Sequence, residues 1–162
     1  MNKQFKFKHL FFVSLGFLLV FISCDSNRIF DDNKTLPDNI WDRKNKVAFN
    51  ITITDTVAPH NVYINVRNAD GYPYGNLYLF IHSTFPNGQK FTDTLECVLA
   101  DANGKWLGDG IGDIYDNQIP FKKNVRFRVP GNYNFELEQG MRLEMLPLIM
   151  DVGIRIEKAN DK

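Results

Sequence analysis

Sulfur and imidazole are scarce in this chain: 162 residues hold two cysteines and three histidines. Cys24 sits at the end of an N-terminal apolar segment, so Cys97 is left as the single free thiol of the remainder. That excludes a disulfide framework within one molecule and a Cys/His metal site. Charge of one sign is also missing, with 19 basic and 19 acidic residues. Setting residues 1–23 aside removes three lysines and no acid, leaving 16 basic against 19 acidic and a net charge of −3. Nucleic-acid binding needs a concentrated basic face, which this composition does not supply. No apolar run is long enough to span a bilayer either. Leu10–Ile22, broken only by Ser14 and Gly16, would reach only ~20 Å as a helix against a hydrocarbon core of about 30 Å. Nor does a helical period persist anywhere downstream. Stability has to come from packing, for which fourteen Phe, six Tyr and two Trp are well suited.

What the N-terminus does have is the order of an export signal. Lys3, Lys6 and Lys8 precede the apolar run, and the small Ser23 precedes Cys24. An ordinary secretory signal needs no cysteine at its cut, whereas Phe21-Ile22-Ser23-Cys24 has the form of a lipobox. Its cysteine would carry a diacylglyceryl thioether and an acylated amino terminus. Several acyl chains then hold the protein to a membrane, at about 0.8 kcal/mol per buried methylene. Phe21 departs from the usual Leu or Val. The expected organisation is a cleaved signal at 1–23, a polar lipid-anchored tether at 24–45 and one domain at 46–158.

From Lys46 onward the period is two. Val47, Phe49, Ile51 and Ile53 alternate with more polar neighbours, as do Val62, Ile64 and Val66, then Leu77, Leu79 and Ile81. Asn87-Gly88 and Asn103-Gly104 mark hairpins. Phe91, Leu95 and Cys97 share a face with Asp93. Val125–Val129, Tyr133–Leu137 and Val152–Ile156 continue the alternation, with Pro130-Gly131 turning the chain. Met141–Met150 fits either period, but Pro147 limits a helix to about two turns and favours strand. The pattern predicts an all-β fold, an antiparallel β-sandwich of jelly-roll or immunoglobulin-like type.

Chemistry-bearing constellations are few. His60 follows a proline in a turn and His82 alternates onto a polar strand face, so both are expected at the surface; Ser83 points away from His82. Glu136 and Glu138 share a face, with no cleft indicated around them. No catalytic residue and no cofactor follow from these patterns. The most unusual stretch is Gly104–Asn117. Its Gly-x-Gly-x-Gly spacing lacks the helix that a phosphate loop requires. Asp109, Asp113, Asp116 and Asn117 are oxygen donors of the type calcium takes, but their spacing matches no EF-hand loop, and no metal is expected. Trp106 and Tyr115 are residue types enriched at protein interfaces, and Asp109, Asp113 and Asp116 would add a polar rim. This stretch is therefore the expected partner surface. Tyr72, Tyr74 and Phe85 form a second set of loop aromatics, suited to a sugar ring or a protein.

Five segments together resemble the gliding-motility lipoprotein family GldH of Bacteroidota. They are Cys24-Asp25-Ser26-Asn27-Arg28-Ile29-Phe30, Gly104-Lys105-Trp106-Leu107-Gly108, Gly112-Asp113-Ile114-Tyr115-Asp116-Asn117-Gln118, Glu138-Gln139-Gly140-Met141-Arg142 and Leu146-Pro147-Leu148-Ile149-Met150-Asp151-Val152-Gly153-Ile154-Arg155. Gly140, where the family pattern suggests alanine, is a departure. The resemblance implies a cell-envelope lipoprotein, lipid-anchored at Cys24, that supports gliding and the associated type IX secretion apparatus without enzymatic activity. Its implied partners are the envelope proteins of that machinery. The expected location is the outer membrane, facing the periplasm. An alternative reading is a surface glycan-binding lipoprotein of a polysaccharide-uptake system, with the loop aromatics as its platform.

Overall fold

Alternating apolar residues bury one face of each strand, and two such faces close on each other. The computed structural model describes residues 26–159, so Cys24 and the export segment lie outside the described residues. Eleven strands follow in order: β1 Arg28–Thr35, β2 Ile40–Asp42, β3 Val47–Ile53, β4 His60–Ala69, β5 Asn76–Thr84, β6 Lys90–Val98, β7 Asp109–Ile111, β8 Ile114–Val125, β9 Gly131–Gln139, β10 Met145–Pro147 and β11 Ile149–Lys158. Among the described residues there is no α-helix, only a three-residue 3-10 turn at Pro37–Asn39. A five-stranded sheet, β1-β11-β4-β8-β7, faces a four-stranded sheet, β3-β9-β5-β6, and β2 pairs with β10 alongside. All pairings are antiparallel. The expected β-sandwich is the observed fold.

Its core is the set of inward positions that the alternation marks. Val62, Ile64 and Val66 of β4 and Val152, Ile154 and Ile156 of β11 meet Phe49, Ile51 and Ile53 of β3. Leu77, Leu79 and Ile81 of β5 with Tyr133, Phe135 and Leu137 of β9 complete the opposing layer. Each such side chain contributes about 1.5–3 kcal/mol by leaving water. Cys97 belongs to this core, and burial pushes its thiol up to about 12, which makes it unreactive. Among the described residues, the sheet pairings and the core run from Arg28 to Lys158, so a chain beginning at Asp25 carries all of those contacts.

Four expectations are corrected. The stretch read as a tether is largely fold: β1 pairs along β11 from Arg28↔Glu157 to Thr35↔Asp151. Beyond it, Leu36 and Trp41 are fully buried, the Trp41 Nε1–H donating to the Asn45 carbonyl at 2.9 Å. β1 is an edge strand exposed on both faces from Asp31 to Thr35, so Asp31-Asp32-Asn33-Lys34 show no alternation. The strand expected at Val125–Val129 lies earlier, as the twelve-residue β8, and residues 126–130 are a connection. Pro120 and the polar residues of β8 are tolerated because its outer side is mostly unpaired. Met141–Met150 is strand only from Met145, with Gln139 capping the preceding loop through donation to the Leu143 and Glu144 carbonyls. Finally, His60 is fully buried against Phe127, ring centres 5.3 Å apart.

The two lateral edges of the sandwich differ. On the β1/β3 side, Phe30 packs edge-on to Phe49 at 6.4 Å and Lys34 Nζ donates to the Ala48 carbonyl at 2.6 Å. On the β6/β8 side, the ion pair Lys122–Asp93 at 2.7 Å crosses between the sheets beside an open groove.

Candidate functional site

The stretch singled out in the sequence folds into a hairpin on the rim of the five-stranded sheet. Asp101, Asn103 and Gly104 turn the chain, and Trp106 bridges back to Ala100. β7 then runs against the start of β8 in the register Asp109↔Asp116, Gly110↔Tyr115, Ile111↔Ile114. Gly112 makes the turn with φ +69, a left-handed backbone that L side chains resist. Gly110 serves a different purpose. A Cβ there would lie 2.5 Å from the Ile114 carbonyl oxygen and 2.8 Å from the Tyr115 ring. The close approach is thus to the chain's own β8.

That approach lets an aromatic stack form under the hairpin. Trp106 and Tyr115 have ring centres 5.7 Å apart, and Tyr72 lies 6.4 Å from the indole. The Trp106 Nε1–H donates to Asp70 Oδ1 at 2.8 Å, while the Asp70 N–H donates to the Asp113 carbonyl at 2.8 Å. These two bonds tie the hairpin to the β4–β5 connection. Asp116 is engaged by Arg67, whose Nε and Nη2 donate at 2.6 and 3.2 Å; Arg67 Nη1 reaches Asp151 at 3.1 Å. The Asp116 carboxylate in turn holds the Arg67 guanidinium above its usual pKa. Asp109 and Asp113 are exposed.

The structure therefore brings Trp106 and Tyr115 together and commits Asp116 to an internal ion pair, leaving the acids Asp109 and Asp113 facing solvent. Asn117 is buried and donates to the Asn68 side chain and the Val66 carbonyl. Among the described residues no group of three or more His, Cys, Asp or Glu is placed to hold a metal ion. Sequence reasoning missed the apolar tip. Ile111 is 95% exposed, with Leu107 and Ile114 exposed near it. The signal was an isoleucine between two glycines in an otherwise polar turn, a position that core packing does not require.

The other loop aromatics are not presented to solvent as a platform. Tyr72 is buried, its hydroxyl donating to the Asn76 carbonyl, and Tyr74 packs edge-on to it at 5.7 Å. Phe85 sits 5.0 Å from both Phe91 and Tyr133. His82 Nε2 lies 2.7 Å from Glu138 Oε2, and Lys46 is 3.0 Å from the same oxygen. His82 is therefore half-buried in an ion-paired cluster on the outer face of the four-stranded sheet, where that histidine and lysine hold Glu138 below the usual carboxylate range.

These features define a class: an all-β sandwich whose most exposed apolar side chain, among the described residues, tips an edge hairpin. Residues 28–156 match the family model described as GldH lipoprotein, and the chain belongs to that family. It is 34% identical over 157 residues to the gliding motility lipoprotein GldH homolog of Christiangramia forsetii, covering 93% of this chain and 96% of that protein. To the gliding motility lipoprotein GldH of Flavobacterium johnsoniae it is 33% identical over 151 residues, 89% of this chain and 92% of the relative. No solved structure matches.

Proposed function

We propose that this chain is a non-enzymatic assembly factor of the gliding and type IX secretion apparatus, and that partner envelope proteins dock on the β7–β8 hairpin. Lipid on Cys24 would hold it at the outer membrane, facing the periplasm. The observation that carries the docking reading is Ile111. Ile111 is held 95% exposed on a two-strand tip with Ile114 exposed across the ladder from it, an apolar pair that adds nothing to the core. Beneath it, Trp106 and Tyr115 make a rigid base, with Asp109 and Asp113 as rim. An apolar anchor ringed by polar groups is the usual anatomy of a small protein interface.

The test replaces the tip and its support in cells that glide. Ile111→Asp and Tyr115→Ala are expected to abolish spreading and secretion while a thermal melt of the purified Ile111→Asp protein stays within a few degrees of wild type. Exposed substitutions cost under about 0.5 kcal/mol. Asp113→Asn is expected to act more weakly, as a rim change. Normal gliding and secretion by folded Ile111→Asp and Tyr115→Ala proteins would remove the hairpin from the interface.

A further inference from the structure

The groove at the β6/β8 corner belongs to no part of this reading. It is a cavity of about 630 Å³ between the two sheets, within the size range of small-ligand sites. Phe85, Phe91, Phe121, Phe127, Val125 and Val129 supply its apolar wall. Phe91 is half-exposed there although it begins an inward-facing alternation. Both flanking strands are edges on this side, since β6 pairs only with β5 and β8 pairs beyond Asn117 only with β4.

Two details decide what fits. Lys122–Asp93 crosses the seam and closes one end, so only the first few residues of β6 border the groove. That is too short a rail for an added strand and favours a compact occupant. The second detail is charge. Lys122 is spent on Asp93 and on the Phe121 ring, 4.8 Å away. Arg126 and Arg128 also line the groove, and among the described residues neither meets a carboxylate; the Arg126 Nε–H donates only to the Val57 carbonyl at 3.2 Å. An apolar wall under two unneutralised guanidiniums is complementary to an anionic head on an apolar body.

We infer that this corner groove binds a single-chain acyl carboxylate, the chain lying among Phe91, Phe121, Phe127 and Val125 and the carboxylate facing Arg126 and Arg128. Head and tail are then both satisfied by one molecule. The site is separate from the hairpin, so either reading can fail without the other.

The experiment is calorimetric titration of the chain beginning at Asp25 with dodecanoate, decanoate and dodecyltrimethylammonium, each below its critical micelle concentration. Dodecanoate is expected to bind at least tenfold more tightly than the ammonium. Decanoate, two methylenes shorter, is expected to bind about fifteenfold more weakly than dodecanoate, at ~0.8 kcal/mol per methylene. The double variant Arg126→Glu/Arg128→Glu, altered only at exposed groups, is expected to lose dodecanoate binding tenfold or more with an unchanged melt. Absence of binding, equal affinity for anion and cation, or indifference to the double variant overturns the proposal. So does binding of an acidic, alternating Val/Glu peptide in place of dodecanoate, which would make the groove a strand acceptor. A dimer in sedimentation that the double variant dissolves would also overturn it, by giving the groove to a second copy.

Discussion

Trp106 is hydrogen-bonded to Asp70: the indole Nε1–H donates to Oδ1 at 2.8 Å, and through it the Gly-rich hairpin is fastened to the β4–β5 connection. The same Asp70 receives the turn from the other side, its backbone N–H on the Asp113 carbonyl. An edge hairpin with only three ladder pairs has little to hold it, so this side-chain latch decides whether the apolar tip is presented in one pose.

Trp106→Phe keeps a ring beside Tyr115 and removes the donor. The expected cost is about 1 kcal/mol, or ~4 °C in melting temperature. Trp106→Ala also removes the stack and should cost at least twice as much. If Trp106→Phe melts like wild type, the latch contributes no stability.

The segment before Val47 gives a sharper test. A chain beginning at Asp25 is expected to melt cooperatively with a β-dominated circular dichroism spectrum and little helical signal. One beginning at Lys46 loses β1, Leu36 and Trp41 and is expected not to fold. Trp41→Ala alone should cost about 3–5 kcal/mol, the range for large buried side chains. A folded chain from Lys46 would restore the tether reading.

How much was legible depends on where each strand lies. β3, β4, β5, β9 and β11 are interior or have one face sealed, so Val62-x-Ile64-x-Val66 and Val152-x-Ile154-x-Ile156 announce themselves. β1 was opaque because both of its faces are exposed from Asp31 onward. β8 was opaque because an inward position is taken by polar Asn117, and Pro120 reads as a breaker unless one knows that its side of the ladder is free. His60 was misplaced because burial there is decided by Phe127, more than sixty residues away, and not by the turn around Pro59. At the site, Trp106 and Tyr115 were readable as residue types. Which acid was free was not: Asp116 is occupied by Arg67 only because β4 lies beside β8.

The anchor is a prediction about Cys24 itself. Cys24→Ala is expected to leave the sandwich intact and to block lipidation, so that the protein stays unprocessed or moves to the soluble fraction. Radiolabelled palmitate entering wild type and variant equally would show that the lipobox is misassigned.

His60 sets an acid limit. Its ring is buried against Phe127, and desolvation outweighs the opposing pull of Asp55 and the Val125 backbone to lower its pKa below the ordinary 6.5. The unfolded chain, with the higher pKa, takes up the proton first as pH falls. Stability is therefore flat above about pH 7 and drops as pH passes downward through 6.5. Carboxylates held below their usual range, Asp55 by the Ala58 N–H and then Lys158, and Glu138 by His82, lose their contribution only at lower pH, below their unfolded values of 3.8 and 4.5. Denaturant melts of His60→Leu should lack the decline between pH 6.5 and 5 and keep the one below pH 4.5. An identical decline in both proteins near pH 6 would assign it elsewhere.

Gly110 and Gly112 are two residues apart and predict different failures. At Gly112 the obstacle is backbone conformation, since φ +69 strains any L side chain while the space around it is open. Gly112→Ala should cost about 1 kcal/mol locally, and Gly112→Asn less, because asparagine tolerates the left-handed region. At Gly110 the backbone is ordinary and the obstacle is the Ile114 carbonyl and the Tyr115 ring, both closer than a Cβ allows. Gly110→Ala must therefore push β7 off β8 and separate Tyr115 from Trp106. Because β7 contributes only three pairs, the fall in global melting should be no larger than that of Trp106→Ala. The loss should appear in amide exchange at Ile111 and Ile114, fast in Gly110→Ala and nearly native in Gly112→Asn. The partner interface should follow the exchange and not the melting temperature, with Gly110→Ala cells failing to glide and Gly112→Asn cells gliding. If exchange speeds up in Gly110→Ala while gliding persists, the posed hairpin is not what the partner reads.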